Sequence, residues 1–183
     1  WFTVPLGVGA RSAANAGSTL RVRITGPRVP GASPVVSAED AASAMRELAR
    51  VAAGGTLPEV DGGSATVTAT LDAADIANYV SVTSAGSADG PVGPDVLVGT
   101  AWPAIFAVIA ESRTAGDHVA VGEPVVEGLL NLVHLAHSVE LTEGAAGLLA
   151  AAAEPGADPL QVQATARLRG VWDTASGRVV EIA

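Results

Sequence analysis

Gly93–Glu111 reads GPDVLVGTAWPAIFAVIAE, and the rest of the fold is worked out from it. Gly93 and Pro94 form a turn, and Thr100 is placed to cap a helix. Pro103 then falls in the first helical turn, where its missing N–H costs little. Ala101–Ala110 is the longest apolar run in the chain and is apolar all round, the mark of a helix covered on most sides. A strand-forming stretch precedes it and strand-like segments follow. The pattern predicts an α+β fold with an antiparallel sheet wrapped around one central helix at about 100–111. An ordinary helix packed on one face of a sheet fits the same residues.

Composition narrows the functional classes. Of 183 residues, 49% are hydrophobic but only 3% aromatic, so the core must be built from Val, Leu, Ile and Ala. The net charge of −9 argues against a nucleic-acid surface, which needs clustered positive charge. All ten basic residues are arginine, which we read as a coding bias. With no cysteine, disulfides, thiolate zinc sites and a cysteine nucleophile are excluded. Ala101–Ala110 is too short for a bilayer, which takes roughly 20 residues, so no membrane partner is expected. The start, WFTVPLGVGA, has no basic region ahead of an apolar one and so is not a signal peptide. It also lacks an initiator Met, and Arg178–Ala183 reads as a strand that stops abruptly. Both ends are expected to be cuts from a longer polypeptide.

Local patterns assign the remaining elements. Trp1–Val8 is an edge strand or lead-in, Ser18–Thr25 alternates as a strand with one wet face, and Gly26–Pro34 is a loop. An N-terminal helix is expected at about 38–53, opened by Ser37 with Asp40 and stopped by Gly54-Gly55. Met45, Leu48, Ala49 and Ala52 would line its buried face. Ser64–Leu71 alternates as a strand. Asp72 then caps a short helix with Asp75 in its first turn and Ile76, Tyr79 and Val80 on its buried side. Ser81–Pro94 and Ser112–Glu123 are loops, the second polar and mobile. Val125–Leu141 fits a helix face (Leu129, Leu132, Val133, Ala136) or a strand face (Val133, Leu135, His137, Val139, Leu141). The alternation favours a strand in its second half. Ala146–Ala153 is a helical turn, and Leu160–Trp172 with Arg178–Ala183 is a hairpin about Asp173–Gly177.

Few residues are candidates for chemistry. The histidines are His118, His134 and His137. The last two could share a ligand on a helix but would face opposite ways on a strand. With no third ligand nearby, no metal site is expected. His134 or His137 reads as an interior histidine and His118 as a solvated one. Gly7–Gly17 lacks the third glycine and the strand–turn–helix context of a phosphate loop, and no G-x-S-x-G elbow exists, so no cofactor is expected. Asp72 and Asp75 read as caps rather than as a catalytic pair.

Three segments together carry a resemblance: Pro94–Glu111, GLLNLVHLAHSVEL (128–141) and DPLQVQATARLRGVWDTASGRVVEIA (158–183). They resemble the dehydratase region of type I fatty acid synthases, which is similar to MaoC-like hydratases. Those proteins are built on hot-dog units, in which acyl chains lie beside a central helix. The resemblance implies a strand-and-helix segment at 1–63 leading into a hot-dog unit at 64–183. Active hydratase halves of that family carry D-x-N-P-x-H after a helix containing Tyr. Here Asp75-Ile76 through Tyr79–Thr83 resembles the lead-in, but Ala85 stands at the Asp position, Ser87 at the Asn and Gly90 at the His. Val98-Gly99-Thr100 replaces the His that often begins the central helix.

Dehydrating a 3-hydroxyacyl thioester takes a base for the C2 proton and an acid for the leaving hydroxyl, and Ala85 and Gly90 are neither. The resemblance thus implies a non-catalytic hot-dog half, with no catalytic, cofactor or metal residues, supporting a catalytic hot-dog elsewhere in a cytoplasmic, homo-oligomeric parent. Its partners would be the parent's other domains and, transiently, an acyl carrier domain. The alternative is a stand-alone hot-dog thioesterase or hydratase using Asp89, His134 or His137. An imidazole near the start of the central helix, with a carboxylate in reach, would favour it. A scaffold module without any catalytic hot-dog beside it is the third reading.

Overall fold

The computed structural model describes residues 2–5, 19–22, 24–25, 35–36, 38–83, 92–114, 122–126, 135–140, 142, 144–175 and 177–183. In chain order the elements are β1 (Phe2–Pro5), β2 (Thr19–Val22), β3 (Ile24–Thr25), β4 (Val35–Val36), α1 (Ala38–Ala52), β5 (Val60–Asp61), β6 (Ser64–Leu71), α2 (Ala73–Thr83), α3 (Val98–Glu111), α4 (Ala145–Ala152), β7 (Leu160–Thr174) and β8 (Gly177–Ile182). A 3-10 turn, Pro94–Leu97, leads into α3.

The sheets are antiparallel. β1 pairs with β2 and β3 with β4, as two-stranded pieces. β5-β6-β7-β8 is a four-stranded sheet. Gly62 and Gly63, at φ 54° and 75°, make the β5–β6 turn, whose backbone twist needs positive φ at both central residues. Along β6 and β7 the partners run in opposite order, from Leu168 N–H donating to Gly63 O at 2.8 Å, through the Thr66–Thr165 hydroxyl pair at 2.9 Å, to Gln161 Nε2 donating to Thr70 Oγ1 at 3.1 Å. The β7–β8 hairpin closes at Thr174–Gly177 and carries a bulge between Leu168 and Gly170.

The chain divides into two compact units, each drawn from separated stretches. The first holds Trp1–Val67, Trp102–His134 and Thr165–Ala183. In it Ala41, Ala42, Ala44 and Met45 of α1 pack with Ile109, Ala110, Val125 and Val126. Ala104, Ala107 and Val108 of α3 pack with Ala49, Ala65 and Ala166. Small side chains on both sides let helix and sheet approach closely, which is how a chain poor in aromatics still fills a core. The second unit holds Thr68–Ala101 and Leu135–Ala164, with Leu71, Ile76, Val80, Val96, Leu149 and Ala152 as its core.

The α+β class, α1 with its Gly54-Gly55 stop, β6, α2, the helical turn at α4 and the β7–β8 hairpin follow the sequence pattern. Several details differ. Ala52 is exposed and Val51 is buried instead, because Ala52 is the final residue of α1, past the core it would face. Thr100 does not cap α3. The helix already begins at Val98 behind the 3-10 turn, and Thr100 Oγ1 donates back to Leu97 O at 2.6 Å. Pro103 is therefore inside the helix and buried, while the residue four before it, Gly99, is exposed to water. Cover of the apolar run is incomplete at Trp102, which is 38% exposed and stacks on Phe106 at 5.1 Å.

With the 3-10 turn included, Pro94–Glu111 runs 18 residues at mean hydropathy 1.3. That is longer than expected and meets the length and composition of a bilayer span. Most of its second half is nonetheless buried in the first unit.

Leu135–Glu140 is not a strand. It has no regular structure and lies exposed, Leu135 at 73% and Val139 at 37%. Alternation alone does not make a strand: a neighbour must take its hydrogen bonds, and one face must be covered. Of the expected loop at 112–123, residues 115–121 lie outside the described residues; the described flanks are tied together, with Thr114 N–H donating to Glu123 O at 2.9 Å and Val125 N–H to Ser112 O at 3.1 Å. A Cβ at Gly122 would run into the Thr114 carbonyl. Gly122→Ala is expected to cost about 1–3 kcal/mol, read as a lower urea midpoint.

Candidate functional site

At the start of α2 the two aspartates are committed to the backbone. Asp75 N–H donates to Asp72 Oδ1 at 2.8 Å, and Asp72 N–H to Asp75 Oδ2 at 3.4 Å. This reciprocal cap satisfies donors that the first helical turn leaves without intrahelical partners. Asp72→Ala should lower stability by about 1 kcal/mol, measured as a shift in thermal midpoint.

Further along α2, Tyr79 borders the core of the second unit. Burial, and secondarily the carboxylate charge of Asp95, push its phenol above the ordinary tyrosine value. Asp95 sits in the 3-10 turn immediately before α3. His137 Nε2 lies 2.9 Å from Asp95 Oδ1, with the two side chains 47% and 49% exposed. His137 is therefore not an interior histidine. Once Leu135–Glu140 is irregular, nothing turns His137 toward a core.

This pair is the arrangement the stand-alone enzyme reading asked for, an imidazole and a carboxylate next to the start of the central helix. The carboxylate is Asp95, which reading the sequence did not single out. Its position directly after Gly93-Pro94, in the turn opening the helix, was the available signal. A carboxylate within hydrogen-bond reach fixes the orientation of an imidazole, the geometric half of what general acid–base work needs. At this exposure water screens the charges, and the pair adds about 0–1 kcal/mol to stability. Asp89, His118 and His134 lie outside the described residues, as do Ala85, Ser87 and Gly90. Among the described residues no three His, Cys, Asp or Glu side chains gather as a metal site would need.

The first unit has a cleft of about 650 Å³ between Leu57–Gly63 and Glu111–Arg113, with Leu168 in its wall. Its charged lining is largely neutralised within the chain: Arg46 Nε pairs with Glu111 at 2.5 Å, and Arg113 Nη1 with Glu39 at 3.1 Å. The buried Ser112 hydroxyl has no hydrogen-bond partner among the described residues. Among the described residues, neither a nucleophile with its base nor a ring of ligands is assembled there.

Comparison with known families gives one finding. Residues 6–55 match the family described as fatty acid synthase, SBS domain. The match supports a fatty acid synthase origin. It takes in β2, β3, β4 and α1 and ends at the Gly54-Gly55 stop. It does not overlap the segments from Pro94 onward that resemble the synthase dehydratase region. No curated protein matches the chain. The matched family is one of fatty acid synthesis, and its match covers residues 6–55 of this chain.

Proposed function

We propose that this chain is a piece of a type I fatty acid synthase whose stretch 64–183 is the non-catalytic hot-dog half of the 3-hydroxyacyl dehydratase region. It would brace a catalytic hot-dog elsewhere in the parent and meet an acyl carrier domain in passing. The observation that carries the synthase assignment is the family match over residues 6–55. The hot-dog reading draws support from α3, buried from Ala104 to Ala110 except at Ile105 and Phe106, with β6 and β7 supplying Ala65 and Ala166 to the same core. The inactive reading rests on Ala85, Ser87 and Gly90 at the positions where the family has Asp, Asn and His.

The test is direct. The purified chain, given a 3-hydroxyacyl thioester, is expected to form no 2-enoyl thioester by ultraviolet absorbance. Dehydration by the chain alone would overturn the assignment of inactivity.

The His137–Asp95 contact at 2.9 Å favours a second reading, a thioesterase or hydratase in its own right. Under it the chain would turn over acyl thioesters, and His137→Ala would reduce the rate by about 10²–10⁴-fold, as losing a general acid–base does. Under the first reading His137→Ala changes nothing measurable in either assay.

A further inference from the structure

We draw no further inference here: the strongest candidate, the cleft between Leu57–Gly63 and the end of α3 in the first unit, has its Glu111 and Arg113 already paired with Arg46 and Glu39, and nothing in the structure shows what covers it.

Discussion

Met45→Ala is expected to destabilise the chain by about 2–5 kcal/mol, the range for removing a large buried side chain. Met45 is the only methionine and is 1% exposed. Its buried neighbours on α1, Ala41, Ala42 and Ala44, are already minimal, and the longer Leu48 on that helix is only partly buried against the cluster. The rest of its surroundings, Ile109, Ala110, Val125 and Val126, come from α3 and the stretch after it. Stiff β-branched residues and alanines relax poorly into a cavity, whereas Leu48 and Phe106 at the edge of the cluster can relax more. Urea unfolding of the whole chain measures it. A loss under about 0.5 kcal/mol, the scale of an ordinary surface substitution, would mean that α1 does not pack on α3 as described. The result bears on the synthase match as well, because α1 is the last element within residues 6–55. On this packing the matched segment completes its core only with residues beyond Trp102.

The second large effect runs the other way in volume. Ala107→Leu should cost about 1–3 kcal/mol or more, because overfilling a close-packed site forces side chains off their rotamers or pushes elements apart. Ala107 is fully buried, and Ala104 beside it packs, like Ala107, with Ala49, Ala65 and Ala166. Each of those buried partners carries a single methyl group, so the added isopropyl group meets short, rigid side chains first, with the longer Leu57, Phe106 and Leu168 only at the edge of the cluster. Leu148→Ala on α4, at a position 63% exposed, serves as the comparison and is expected to stay within about 0.5 kcal/mol. Equal effects at the two positions would contradict the close helix–sheet approach in the first unit.

Hydrophobic period and punctuation made much of this fold readable. Ser64–Leu71 alternates polar and apolar residues and is β6 to the residue. Asp72 and Asp75 have the spacing of a reciprocal cap, and their hydrogen bonds realise it. Gly54 and Gly55 end α1 because only glycine takes φ of 78° and 116° without strain. Leu135–Glu140 shows the limit of the same method. Its alternation is weaker than that of β6, with His137 between Leu135 and Val139 on the face that would be covered, and no described segment pairs with it. Asp95 was missed for a related reason: its role depends on a histidine 42 residues further along the chain.

Local rules acting within a few residues of each other thus determined α1, β6, α2 and the β7–β8 hairpin, the Asp72–Asp75 cap, and the need for a core of small aliphatic side chains. The sequence also carried the resemblance to a synthase, and the family match at residues 6–55 falls on a different stretch of it. Tertiary structure alone decided that α1 shares a core with α3, that Ser112 and Thr114 bond to Val125 and Glu123, and that His137 meets Asp95. Those outcomes depend on which distant segments supply hydrogen-bond partners and cover for one another. No periodicity within a segment records that, because a buried face and an exposed face are the same residues until something packs against one of them.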